Sequence, residues 1–483
     1  RTNDPQWLDE VIRFSERSRS RLALELIQEA EAKQFAGVPE NILARETELN
    51  QSIAHHYQQI ALEQDKGDDA DPIRLEEQRD SLFTLKQQVE EYTQLLEEQF
   101  PIYHQLKFSR NLVDKEQAQE MLSNDQTILK YIKGDDFWIA VTISPTDINV
   151  EYFETSVNIK ASVELLRESA LNGDSETLQK QSRLLFSVLF EPVIEQITTE
   201  SVIIIPDESL YYLPFEMLLT EEPGKDDYYN KFPFLLHDYT ISYAPSITVL
   251  EYMNRERISE PRNLLALAPF NQSLDERSSE LYTERTLSRL TPLPLTEFET
   301  REIAGIFRKK NSFYDYLFPE KADILLHKDA SKENFLNREL EQYGFLHFAT
   351  HAFINESNPD LSGIALWGED ESGILYVNDI YNLRFDADLA VLGACETGLG
   401  TLFRGEGVIG FTRAFIYAGV SNLAVSMWRV NDQPTSRLMI NFYNKIDQGY
   451  GYSEALRAAK LELIEYPEFS EPKNWAAFIL YGF

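Results

Sequence analysis

Cysteine is almost missing from this chain: Cys395 is the single one in 483 residues. An internal disulfide is therefore excluded, and a reducing, cytoplasmic setting is expected. One cysteine and seven scattered histidines give no metal-ligand spacing, so no metal is expected. Positive charge is also scarce. The 45 Lys and Arg face 80 Asp and Glu, for a net charge of −35. A field of that sign repels phosphates and anionic lipid, so direct nucleic-acid binding is not expected. The densest basic cluster, "FRKK" at 307–310, is too short to reverse this. A cationic protein partner or substrate fits the charge better, although solubility alone accounts for it as well. No apolar run is long enough to span a bilayer and no signal peptide is found, so no membrane role is expected. There is no P-loop lysine. The chain opens at Arg1 without a methionine and reads as helix at once, as a piece of a longer protein would.

Apolar residues are plentiful, at 43% of the chain, and its length suits about three domains at the rough guide of one per 150 residues. Residues 1–100 read as helices. In 40–64, Leu49, Ile53, Tyr57 and Ile60 share a helical stripe. In 71–100, Leu82, Leu85, Val89, Tyr92 and Leu96 alternate three and four apart, a heptad pattern. "DKGDDADP" between them is rich in turn formers, which predicts a long antiparallel hairpin.

From 101 the pattern changes to short β-branched and aromatic runs: 127–133, 137–144, 201–206 and 239–245, with a helical stretch over 157–198. A second set begins near 257, with strands at 263–269, 344–351, 363–368, 388–395 and 422–428. Helices are expected over 296–308, 332–342, 407–419 and 433–447. Near-continuous apolar strands alternating with helices predict an α/β fold with a mostly parallel sheet covered on both faces. The expected organisation is a helical region at 1–100, one α/β unit at 101–256 and another at 257–483.

Ligands of such sheets bind at the carboxyl ends of strands. Cys395 in "AVLGACETGLG" and His351 in "HFATH" are each placed at such an end. A thiol and an imidazole at neighbouring strand ends are what thiolate chemistry needs, because the imidazole can take the thiol proton. A lone cysteine in an apolar run is otherwise a buried, inert residue. All seven histidines precede Cys395, which excludes the hydrolase and papain chain orders, where the histidine follows the nucleophile. Histidine first and cysteine next is the caspase-type order. His347 is the rival base. It lies four residues earlier, on the same side by the strand period of two, but inside the apolar run, so it reads as structural. "GEGVIG" at 405–410 matches a dinucleotide fingerprint, with Asp432 downstream. Against it, the preceding strand ends about ten residues earlier, and Glu406 would repel a pyrophosphate. No cofactor is expected.

Beyond these features, "FLHFATHA", "LAVLGACETGLGTLFRGEGVIGFTRAFIYAGVSNLAVSMWRVND", "NWAAFILYG", "LPFEMLL" (213–219) and "LPLTEFETREIAGIF" (293–307) closely resemble the CHAT domain family over about 101–483. These are caspase-like proteases related to separase, often attached to tetratricopeptide repeats. The opening helix looks like the end of such an array. The resemblance implies two caspase-like units, the first inactive and the second active. It implies peptide-bond hydrolysis through an acyl-enzyme, with His351 as base and Cys395 as nucleophile. It also implies an oxyanion held by the backbone N–H of Cys395 and of the residue after His351. That residue is Ala352 where most relatives have glycine, so the N–H survives beside a methyl that narrows the hole. Asp432 in "WRVND" resembles the separase aspartate that pairs with arginine at P1; a loop or helix-capping aspartate is the other reading. Glu406 reads as a structural carboxylate. Relatives act in bacterial defence, some beside CRISPR effectors. The implied partners are a protein substrate and a regulatory protein or ribonucleoprotein reached through the N-terminal helices. The alternative is a non-catalytic scaffold that binds partner proteins.

Overall fold

A computed structural model describes residues 16, 40–64, 71–99, 113–225, 227–254, 263–270, 292–308, 321–354, 362–368, 371–393, 395–397 and 406–483. Two long helices, α1 (Glu40–Gln64) and α2 (Pro72–Gln99), form the expected hairpin. Its direction is written in its side-chain pairs. Arg45 donates to Gln88 at 3.1 Å, Arg74 donates to Gln59 at 3.3 Å, and Glu63 accepts the Asp71 N–H at 2.9 Å. Leu49 and Leu82 of the two stripes are buried, whereas Tyr57 lies half out beneath the Lys86 ammonium.

Eleven strands make one sheet. They are β1 (Gln126–Lys133), β2 (Trp138–Ile143), β3 (Ile148–Phe153), β4 (Ser201–Ile205), β5 (Thr240–Tyr243), β6 (Leu264–Ala268), β7 (Ala322–Leu326), β8 (Phe345–Phe348), β12 (Ala387–Leu392), β14 (Val420–Ser426) and β15 (Phe478–Tyr481). Their order is β3-β2-β1-β4-β5-β15-β14-β12-β8-β6-β7. Neighbours are parallel from β1 to β15 and from β14 to β7, while β2 and β3 form an antiparallel edge. The two strand sets expected from the sequence thus share one sheet. The strand that joins them is β15, from the end of the chain: it runs parallel to β5 and antiparallel to β14.

Both faces are covered. Leu129 and Tyr131 of β1 face one apolar core and Ile128 the other, and Val202 and Ile204 of β4 are split from Ile203 and Ile205 in the same way. Such burial explains the unbroken Val/Ile/Leu runs. The helices include α3 (Ile159–Asn172), α4 (Ser175–Leu185), α5 (Ile247–Met253), α6 (Thr296–Phe307), α7 (Val377–Ile380), α8 (Glu406–Tyr417), α9 (Asp432–Asp447) and α10 (Tyr452–Ile464). The helical stretch expected over 157–198 is made of successive helices. Gly173 closes α3 at a φ of 72°, where a side chain is disfavoured, and Asp174 caps the start of α4. The expected helix over 332–342 is α-helical only to Leu336.

One expected member of the parallel sheet lies elsewhere. β10 (Gly363–Ala365) belongs to a second, four-stranded sheet with β9 (Ala352–Ile354), β11 (Ile374–Tyr376) and β13 (Cys395–Thr397), and it is antiparallel to β9 and β11. An apolar run of that length carries no information about its partner strands, which is why its sheet could not be read from sequence.

Two buried ion pairs tie the parts together. Glu16 places one carboxylate oxygen 2.6 Å from the Lys130 ammonium of β1; the other accepts from the N–H (3.0 Å) and hydroxyl (2.8 Å) of Thr248 on α5. Burial pushes the Glu16 carboxyl up, but Lys130 and the Thr248 hydrogen bonds outweigh it and hold it below its usual range. A lowered carboxyl pKa contributes stability that is present above the ordinary value and lost as pH falls through the lowered one. At the β15 junction, Lys460 of α10 meets Glu216 at 2.8 Å, and Tyr243 of β5 donates to the second oxygen of Glu216 at 2.6 Å. Removing one member of such a pair leaves a bare buried charge. Glu216→Gln and Lys460→Met are each expected to cost about 3–5 kcal/mol, and the double variant less than their sum. Denaturant melts of the three variants check this.

Candidate active site

The site grows from two adjacent parallel strands. β8 and β12 pair in the register His347 with Val391 and Phe348 with Leu392. Beyond them the Gly393 N–H donates to the Phe348 carbonyl at 2.9 Å. A Cβ at position 393 would stand 3.1 Å from that carbonyl oxygen, so glycine permits the close approach. The two chains then pair again in the small sheet, Cys395 against Ala352 and Glu396 against Phe353, still parallel. The backbone therefore sets Cys395 directly opposite the residue that follows His351.

This corrects the expected strand ends. His351 and Cys395 do not end the buried strands. β8 stops at Phe348 and β12 at Leu392, and Cys395 opens a new strand, β13. The alternation argument for the two histidines fails for the same reason, since His351 lies past the end of β8. Their surroundings differ accordingly. His347 is fully buried, with Nε2 2.9 Å from a carboxylate oxygen of Glu299 on α6 and its ring edge-on to Tyr443 of α9. His351 is 2% exposed, with its ring 5.6 Å from that of Phe270.

Ala352 pairs with a strand on either side in the small sheet. Ala365 donates its N–H to the His351 carbonyl at 2.8 Å, and Ala352 pairs with Ile364. In an antiparallel ladder this makes Ala352 and Ile364 a non-hydrogen-bonded pair. The Ala352 N–H is consequently turned away from β10, to the side on which the Cys395 strand runs. Its methyl is buried.

Asp432 begins α9, where an acidic side chain also complements the helix dipole. Its carboxylate accepts the Leu295 N–H at 2.7 Å, so it caps a neighbouring segment rather than its own helix. It also lines a small cavity with Leu293, Glu299, Thr350, Gly393 and Val430, directly behind the strand ends that lead to His351 and Cys395. The free volume is about 20 Å3, on the order of one water. Burial pushes the Asp432 carboxyl up, the Leu295 hydrogen bond opposes this, and the Glu299 charge adds to the rise. Asp432 is thus a hydrogen-bonded acceptor for Leu295 that also lines the cavity. Two carboxylates line this cavity, and that of Glu299 is already met by the His347 ring.

Of the remaining sequence candidates, Glu406 and Gly410 lie in α8, and Gly405 lies outside the described residues. Glu299, Tyr443 and Phe270 were not singled out from sequence. Glu299 stands in the quoted segment "LPLTEFETREIAGIF", but a carboxylate on an amphipathic helix reads as solvated until its buried imidazole partner is known. Among the described residues, no group of three or more His, Cys, Asp or Glu is placed to hold a metal ion, and no helix is long and apolar enough to cross a membrane.

The CHAT domain family model matches residues 179–483. Tetratricopeptide repeat protein 28 of Homo sapiens is 33% identical over 109 residues, 23% of this chain, and its mouse counterpart 30% over the same length. The match spans 4% of the length of either relative. Among solved structures, the Saccharomyces cerevisiae separase–securin complex is similar at a TM-score of 0.45 and 11% identity, covering 85% of this chain and 33% of that one. The Arg-specific cysteine proteinase gingipain R is similar at a TM-score of 0.36 and 9% identity, covering 64% and 67%.

The raised Asp432 pKa has a signed consequence. A carboxyl whose folded pKa is raised binds more protons folded than unfolded, so stability falls as pH climbs from its ordinary value through the raised one. Asp432→Asn, which keeps an acceptor for the Leu295 N–H, removes that penalty. Its melting temperature relative to wild type is expected to rise between pH 3 and pH 7, and a thermal melt series checks it.

Proposed function

Because the chain belongs to the CHAT domain family, we propose that it is a cysteine endopeptidase in which Cys395 is the nucleophile and His351 the general base. The observation that carries the proposal is the register that sets Cys395 against Ala352, one residue past His351. His351 takes the thiol proton as the sulfur attacks the substrate carbonyl carbon. The tetrahedral intermediate collapses as His351 returns the proton to the leaving amine, which leaves a thioester. Water, deprotonated by His351, then releases the acid and restores the thiol. The developing oxyanion is assigned to the N–H of Cys395 and of Ala352, as in the family resemblance.

Substrates with a basic P1 residue fit the Asp432 and Glu299 carboxylates. The cavity as it stands holds about one water, so a guanidinium enters only when a wall such as Leu293 or Val430 moves. In this reading the unit at 257–483 does the chemistry, and the unit at 101–256 supports it. Control by a protein or ribonucleoprotein partner through the N-terminal helices is supported by one contact. Helix α1 touches α7, which follows β11 in the same small sheet as Cys395. The net charge of −35 favours a cationic protein as substrate or partner over nucleic acid. The proposed setting is partner-triggered proteolysis in the cytoplasm during bacterial defence.

The test is cleavage of candidate protein substrates by the chain with its N-terminal partner, compared with Cys395→Ala and His351→Ala. Both variants are expected to lose cleavage by at least about 10³-fold. Cleavage that survives Cys395→Ala rejects the assigned nucleophile. No cleavage by wild type under any partner condition leaves the scaffold reading in its place. Asp432→Ala is expected to lower cleavage after Arg and Lys selectively, and an unchanged P1 profile removes it from the pocket.

A further inference from the structure

The segment that carries the pocket residues Val430 and Asp432 is held from the other strand set. Arg167 lies on α3 and is only 7% exposed. Its Nη2 donates at 3.0 Å to the carbonyl of Met427, the first residue past β14. Its guanidinium sits 5.2 Å from the ring centre of Tyr212 and 5.9 Å from that of Trp428. The same short stretch is fastened on its other sides. Met427 donates its N–H to Ala477 at 2.8 Å, the Trp428 indole donates to the Lys473 carbonyl at 3.1 Å, and the Ser426 hydroxyl donates to the Trp428 carbonyl at 2.6 Å. Arg167 thus contacts both the backbone and the ring of the turn that leads, within five residues, to the Asp432 carboxylate. A planar guanidinium can lie against aromatic rings while its edge donates to a carbonyl; an ammonium cannot do both.

We infer that Arg167 is a positioning residue for P1 selectivity, so that the first strand set sets the pocket of the second. The inference rests on the reading of Asp432 as the P1 pocket. With Arg167 in place, Met427 and Trp428 are fixed, and the excursion of Val430 that admits a basic side chain pivots on a rigid start. Without it, the turn loses its fastening on the side of the first strand set, and the carboxylate no longer meets the incoming cation in one place.

Two measurements on the full chain test this. The first is kcat/KM for peptides that differ only in arginine or norleucine before the scissile bond. In Arg167→Met the arginine-to-norleucine ratio is expected to fall about tenfold, mainly through KM. A merely structural Arg167 predicts that both peptides lose equally, leaving the ratio unchanged, and that overturns the inference. The second needs no turnover: calorimetric binding of benzamidine to the Cys395→Ala protein, alone and with Asp432→Asn or Arg167→Met. Both additions are expected to weaken binding about tenfold. If Asp432→Asn has no effect, or benzamidine does not bind, the pocket reading fails and the role of Arg167 falls with it. If Asp432→Asn weakens binding and Arg167→Met does not, the pocket stands and only Arg167 is misassigned. Should Arg167→Met not melt cooperatively, Arg167→Lys, which keeps the buried charge, takes its place with the same expected loss of selectivity.

Discussion

Everything proposed for this chain depends on the parallel register of β8 and β12. A ladder that pairs Phe348 with Leu392 brings the ends of two buried strands to the same height. Gly393 lets them stay in contact where they leave the large sheet, and the ladder resumes at Ala352 and Cys395. A slip of one residue would separate the histidine-bearing turn from the cysteine strand and exchange the side chains packed against the two faces. Burial of both strands on both faces makes that slip costly, so chemistry at the strand ends is positioned by packing in the core.

The second constraint is the junction at β15. Strand β15 fills the gap between β5 and β14, so the sheet is continuous only when that strand is in place. Around it lie contacts that cross from one strand set to the other, among them Lys460 with Glu216 and Arg167 with Met427. A buried ion pair is weak evidence for net stability but penalises any arrangement that separates its members. Here that penalty keeps the two strand sets aligned, and it gives the first set a physical route to the cavity beside Asp432.

Much of this was legible in the residues. The hairpin showed in stripes headed by Leu49 and Leu82, both of which are buried. The β4 and β6 runs are almost wholly apolar because both of their faces are covered, and that pattern is visible in one sequence. The assignment of His351 and Cys395 to one site came from chain order and family resemblance; the register of Ala352 against Cys395 is what the fold adds. What stayed hidden was non-local. The partners of a three-residue strand such as β10 are set by the tertiary fold, not by its own composition. The break at Gly173 was masked by helix-forming neighbours on both sides. The link of His347 to Glu299 joins positions 48 apart, and that of Arg167 to Met427 joins positions 260 apart. No local periodicity records either. Family resemblance singled out Asp432 for the P1 pocket, and its place beside Glu299, Val430 and Gly393 was not visible in the sequence.

Because Cys395 is the only thiol, its reactivity can be followed without knowing substrate or partner. The direct test is the rate of iodoacetamide alkylation against pH for wild type and His351→Ala. A thiol paired with an imidazole should titrate below the ordinary value of about 8.5, and the rate at pH 6.5 should fall at least about tenfold when His351 is removed. Identical profiles in both proteins, each rising near the ordinary thiol value, would contradict the account.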